Sequence, residues 1–175
     1  MANDPNIRIA VSACLLGERV RYDGETKPHA WVRDELSRLA ELVPVCPEGE
    51  LGMDVPREPV DLIGDPTAPR MVGVTSSEDW TERMNAWCGG RIAELVAEGL
   101  DGVVLKSRSP SCGIGSTPVY PEPGAEPRLG DGLFALALRM TCPDLAITED
   151  EDLDDPDKRA AFLECVKNAA NRRRG

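Results

Sequence analysis

Three short apolar runs, each leading towards a cysteine, constrain this chain more than any other feature. Residues 7–13 carry Ile7, Ile9 and Val11, leave through Ser12 and Ala13, and end at Cys14. Residues 42–45 end at Cys46, and residues 100–105 contain Val103, Val104 and Leu105, with Cys112 seven positions on. Runs of this length read as buried strands, and the unbroken third run suits a strand covered on both faces. Between them lie stretches with helical spacing. Residues 30–42 place Trp31, Val32, Leu36, Leu39 and Ala40 on such a pattern. A longer helix is predicted after the capping sequence Thr75-Ser76-Ser77-Glu78, through Trp80, Met84, Trp87, Ile92, Leu95 and Val96 towards Gly99, with Gly89-Gly90 weakening its middle. Alternating strands and helices predict an α/β fold with a parallel sheet and helices on its faces.

The remaining segments decorate that frame. Pro56, Pro59, Pro66 and Pro69 leave room only for short extended pieces at 60–63 and 71–74, a hairpin or excursion. Four prolines between 116 and 128 predict an irregular surface loop. Gly130-Asp131-Gly132 precedes a helix over 133–140, and residues 145–148 read as a fourth strand. An acidic loop at 149–155 and a terminal helix over 156–172 follow. No repeat or boundary interrupts the 175 residues, so one domain over 1–175 is expected.

Charge and cysteine usage narrow the function. A net charge of −11 repels phosphate backbones and anionic membranes, so a nucleic-acid polymer or a membrane is not the expected partner. Arg172-Arg173-Arg174 reads as a solvated helix end. Residues 1–9 lack the basic-then-apolar pattern of a secretory signal, and no segment approaches membrane-spanning length. A cytoplasmic protein is expected, in which six cysteines do not build a disulfide framework. The single histidine, His29, excludes a His-rich metal site.

The strand pattern divides the cysteines. Cys14, Cys46 and Cys112 each follow the carboxyl end of a predicted strand, and in open parallel sheets those ends line the ligand crevice. Small residues and turn formers surround all three, which lets backbone amides approach a sulfur or an anion. Cys88 and Cys165 fall within helical patterns and Cys142 at a helix exit, positions of small apolar core residues. Three thiolates without a fourth ligand make an incomplete coordination sphere, whereas structural zinc closes its shell with four. A [4Fe-4S] cluster on three cysteines leaves one iron free. The absence of Cys-x-x-Cys argues against zinc ribbons and thioredoxin-like pairs, but spacing does not choose iron over zinc, and buried structural cysteine stays open as the plainer reading.

At these residues the chain resembles the bacterial 2-thiouracil desulfurase-like family, iron–sulfur desulfidases formerly catalogued as a domain of unknown function. The matching stretches are Ser-Ala-Cys-Leu-Leu-Gly at 12–17, Val-Arg-Tyr-Asp-Gly at 20–24, Cys-Pro-Glu at 46–48, Pro-Arg at 56–57 and Lys-Ser-Arg-Ser-Pro-Ser-Cys-Gly at 106–113. The resemblance implies a Rossmann-like three-layer sandwich with a mostly parallel central sheet. It implies a [4Fe-4S] cluster on Cys14, Cys46 and Cys112 with its fourth iron open to the sulfur of a small thiolated substrate. Desulfuration would then be redox-neutral, with water attacking the carbon. Glu48 and Ser109 are the catalytic candidates, and Tyr22, Asp23, Arg57, Lys106 and Ser111 the substrate-binding ones.

Plainer roles stand beside these. Glu48 can be a solvated loop carboxylate, Ser109 a turn hydroxyl, Tyr22 and Asp23 parts of a turn closed by Gly24, and Arg57 and Lys106 partners of nearby acids. Two other functions remain open: a non-catalytic iron–sulfur or zinc binding or sensor module, and a cluster-free persulfide enzyme with a thiol activated near Arg108. Glu25, where the family often has a second glycine, and residues 114–128 depart from the family pattern. From Lys106 onward the chain is closer to a branch often fused to a second domain, so its substrate need not be thiouracil.

Overall fold

The computed structural model describes residues 7–175. Its first half contains β1 (Arg8–Ser12), α1 (Ala30–Asp34), β2 (Glu41–Val45), α2 (Pro47–Glu50), β3 (Val60–Ile63), β4 (Arg70–Gly73) and α3 (Thr81–Ala97). Then follow β5 (Gly102–Leu105), β6 (Thr117–Tyr120), β7 (Arg128–Gly130), α4 (Leu133–Thr141), β8 (Ala146–Glu149) and α5 (Pro156–Arg174). Short 3-10 turns occupy Ala13–Leu16, Leu36–Arg38 and Glu151–Asp154.

Four strands form the expected sheet, in the order β2-β1-β5-β8, all parallel. From β1 the chain moves outward to β2, then crosses back to β5 and on to β8, so strand order reverses between β1 and β5. Both faces are covered because side chains alternate along each strand. Ile9, Val11 and Val104 pack with Val32 and Leu36 and with Phe162, Val166 and Ala170 of α5. Ala10, Val103 and Leu105 face the opposite way, onto Met84, Ile92 and Leu95 of α3 and Phe134 and Leu138 of α4. This is the Rossmann-like three-layer arrangement. A Cβ on Gly102 would lie 2.6 Å from Val166 Cγ2, so glycine there lets α5 ride directly on β5.

Several local expectations are corrected. Segments 60–63 and 71–74 do form the hairpin, β3 and β4 pairing antiparallel, but it is not free-standing: it joins a second sheet, β4-β3-β6-β7, which was not expected. The predicted loop at 116–128 supplies β6 and the first residue of β7. Pro118 does not prevent this, because pairing with β3 begins one residue later at Val119, and the other three prolines fall in the β6–β7 connection. The helix predicted over 30–42 stops at Asp34. The Ser37 hydroxyl donates to the Arg33 carbonyl at 2.6 Å, competing with helical pairing, and a 3-10 turn follows. The long helix starts at Thr81, three residues beyond the predicted cap; its Thr81 amide donates to Asp79 Oδ1 at 2.9 Å. Gly89 and Gly90 do not interrupt it. Among the described residues no helix is long and apolar enough to cross a membrane.

Candidate active site

Each candidate thiol is set by a different turn at the carboxyl end of the parallel sheet. The chain leaves β1 in the 3-10 turn that carries Cys14 and reverses at Gly17, whose φ of 96° suits glycine. The Cys14 carbonyl accepts the Gly17 and Lys27 amides, both at 3.2 Å, pinning the returning loop. Cys46 caps α2: its Sγ accepts the Gly49 amide at 3.4 Å. A Cβ on Gly49 would lie 3.2 Å from that sulfur, so glycine keeps the approach open. Cys112 lies in a turn organised by Ser109, whose Oγ accepts the Ser111 and Cys112 amides, each at 3.2 Å. The start of α4 is laced onto the same turn by the Phe134 amide, which donates to the Ser111 carbonyl at 2.9 Å. A Cβ on Gly132 would sit 2.4 Å from the Ser111 carbonyl carbon, which explains the glycine before α4.

These turns surround a cleft of about 400 Å³ where strand order reverses, the usual ligand crevice of an open parallel sheet. Cys14, Cys46 and Cys112 line it together with Tyr22, Glu48, Arg57, Lys106, Ser109 and Ser111. Asp23 is not among the lining residues. Its carboxylate pairs with Arg21 at 2.8 Å and accepts the Glu25 amide, closing the exposed turn. Those two contacts, the Arg21 hydrogen bond first, draw its pKa down to about 2.

The polar residues form two buried ion pairs. Arg57 and Glu48 meet at 2.8 Å with side chains 7% and 13% exposed. The remaining Arg57 donors reach the Asp54 carbonyl at 3.0 Å and the Val20 carbonyl at 2.9 Å, while the buried Ser111 hydroxyl donates to Glu48 Oε1 at 2.9 Å. Lys106 Nζ lies 2.7 Å from Asp150 Oδ2 and 2.8 Å from Ser107 Oγ. Ser12, Arg21, Lys27 and Asp150 were not singled out from the sequence. Ser12 accepts the Lys106 amide at 2.9 Å and hydrogen-bonds the Cys112 side chain. Asp150 was within reach of the strand-end rule, since it directly follows β8.

Burial pushes the Cys14 thiol up to about 11 against the pull of Lys106 and Arg21. It also raises Cys46, opposed by the Gly49 amide, and raises Cys112. Without a metal these sulfurs therefore stay protonated thiols at neutral pH, and a bound metal would have to displace their protons. The donor set fits an iron–sulfur group: soft sulfur ligands from three strand ends on one cleft, with backbone amides and small residues at two of them. Among the described residues no three His, Cys, Asp or Glu side chains form a site for a single metal ion. A lone tetrahedral zinc, with Zn–S of about 2.3 Å, needs its ligands drawn closely together.

Fold and cleft together define an α/β protein that presents thiols and buried charges at a strand-end crevice. The 2-thiouracil desulfurase family model matches residues 9–150, and the chain belongs to that family of desulfurase enzymes. Over 112 residues it is 34% identical to the uncharacterized protein YbbK of Bacillus subtilis (strain 168), covering 61% of this chain and 74% of that one. The solved structure of TudS, a [4Fe-4S]-dependent thiouracil desulfidase, has a TM-score of 0.70 and 28% identity, covering 90% of this chain and 98% of that one.

Proposed function

We propose that this enzyme removes sulfur from a thiolated nucleobase or similar small thiocarbonyl compound without net oxidation or reduction, releasing the carbonyl compound and sulfide. The observation that carries this reading is the meeting of Cys14, Cys46 and Cys112 in one cleft with the braced carboxylate Glu48. The three cysteines would hold a [4Fe-4S] cluster, which when bound supplies a Lewis-acidic iron for the substrate sulfur.

The protein's own groups handle the water and the ring. Glu48 takes a proton from the attacking water, with Arg57 and Ser111 fixing its two oxygens. Ser109 accepts two amides at its oxygen, which directs its O–H away from the turn and towards a substrate heteroatom. Tyr22, 43% exposed at the cleft, offers a ring face to a planar heterocycle. Asp23 acts on Arg21 rather than on substrate, and Arg57 serves Glu48. Unpaired cysteines suit a reducing cytoplasm, and the acidic charge suits a small-molecule partner rather than a nucleic-acid polymer or membrane.

Anaerobic reconstitution with iron and sulfide tests the reading. The expected product is a brown protein that converts 2-thiouracil or a related thiolated base to the oxo compound, with one sulfide released per turnover and no added reductant. A wild-type chain that takes up no iron, or a loaded chain that releases sulfide from no thiocarbonyl compound, overturns it.

A further inference from the structure

The fourth strand of the parallel sheet brings no cysteine to the crevice; the residue after β8 is Asp150, which lies behind the lining residues. Asp150 stands behind Lys106. One carboxylate oxygen accepts the Ser107 amide at 2.7 Å, and the other accepts Lys106 Nζ at 2.7 Å, with both side chains about nine-tenths buried. The Asp150 amide also donates to the Leu105 carbonyl at 3.0 Å, so the carboxylate is registered to the end of β5.

The other cations at the cleft are committed elsewhere or lie further out. Arg57 is bound to Glu48, Arg21 closes a turn with Asp23, and Arg108 is exposed and paired with Glu151. Lys27 lines the mouth as an exposed side chain. Lys106 and Arg57 are both buried on the cleft wall, but Arg57 is paired with Glu48, which itself lines the cleft, whereas Lys106 is held from behind by Asp150, which does not. The Lys106 amide donates to Ser12 Oγ at 2.9 Å, two residues before Cys14, which ties the lysine to the strand end that carries that thiol. In such a site a charge is poorly screened and acts strongly on its neighbours.

We propose that Asp150 is a positioning residue that fixes the Lys106 ammonium against the thiol wall of the cleft, where it offsets the negative charge of a cluster held by three thiolates. This rests on the cluster reading above. Asp150 is itself negative, so its direct effect on the cluster opposes the effect it exerts through Lys106. That opposition makes the two roles separable by sign.

The test is the reduction potential of the anaerobically loaded protein, followed by spectroscopic titration and compared only among cluster-containing fractions. Lys106→Met removes the positive charge and shifts the potential to more negative values, whereas Lys106→Arg stays near wild type. Asp150→Asn also shifts it negative, because the ammonium loses its anchor. In the Lys106→Met/Asp150→Asn double variant the amide change instead moves the potential positive relative to Lys106→Met alone. A positive shift in the Asp150→Asn single variant, or an unmoved potential in Lys106→Met, overturns the proposal while leaving the cluster reading intact. Should Asp150→Asn not fold, Asp150→Glu, which keeps the charge and moves the carboxylate, takes its place and is expected to shift the potential in the same negative direction, an unmoved potential overturning the positioning role. A wild-type protein that binds no cluster overturns both.

Discussion

The two ends of the parallel sheet use the same chemistry to opposite purposes. At the amino end, Asp101 directly precedes β5 and is 1% exposed. It accepts the Arg8 amide at 3.0 Å and is gripped by Arg173 Nε and Nη2 at 3.0 and 2.9 Å, tying β1, β5 and α5 together. Arg8 reaches on to Glu41 of β2 at 2.9 Å. At the carboxyl end, Glu48–Arg57 and Lys106–Asp150 are just as closely paired, yet Glu48, Arg57 and Lys106 face an open cleft walled by thiols. A buried ion pair by itself therefore marks neither stability nor function. What separates the ends is whether a partner atom can arrive between the charges.

Breaking the comparison at the thiols should have the largest effect. Cys14→Ala, Cys46→Ala or Cys112→Ala is expected to abolish turnover and strip the iron colour, whereas Cys88→Ala, Cys142→Ala and Cys165→Ala keep both, as iron content and absorbance would record. Glu48→Gln comes next, with kcat falling about 10²–10⁴-fold in protein of unchanged iron content, read by sulfide release. A loss confined to KM would instead make Glu48 a binding group. At the amino end Asp101→Asn should cost about 1–3 kcal/mol in denaturant unfolding, because a buried carboxylate that accepts from the Arg8 amide and from Arg173 becomes a neutral amide, while kcat/KM per folded protein stays at the wild-type value.

The smallest effect lies at neither end. Asp79 caps α3 through Thr81 and pairs with Arg70; these contacts, Thr81 first, lower its pKa from 3.8 to about 2. A depressed carboxylate stabilises the fold fully above its unfolded pKa and loses that contribution as pH falls through the folded value. Asp79→Asn should thus flatten the fall in stability between about pH 4 and pH 2 by less than about 1 kcal/mol, the carboxylate being exposed and screened. Unfolding curves across that interval check the sign.

The inner strands β1 and β5 were legible because apolar runs buried on both faces leave a mark independent of partners, the edge strands β2 and β8 showed as short apolar runs beside them, and the rule that ligands gather at strand ends then grouped Cys14, Cys46 and Cys112. The second sheet was only half legible: the hairpin at 60–63 and 71–74 could be read, its extension by β6 and β7 could not. Pro118 sits inside β6, where local preference argues for a loop and only the pairing of Val119 with Leu62 and of Pro118 with Leu129 overrides it. Among site residues, sequence order told which side chains follow a strand but not what they face. Asp23 belongs to a matching motif yet points to Arg21, and Asp150 belongs to none yet holds Lys106. Ser109 kept its place on the cleft, with the turn contacts of its hydroxyl oxygen visible only once the chain closed around Cys112.

Strand order gives the three thiols unequal standing. Cys14 and Cys112 follow β1 and β5, each flanked by strands on both sides, while Cys46 follows β2, an edge strand that even accommodates Pro44. Edge pairing opens more readily than interior pairing, and Cys46 is also the least buried of the three. The wall of the cleft is therefore uneven: two of its thiols are sealed within the protein, and the third, at Cys46, stands partly open to solvent.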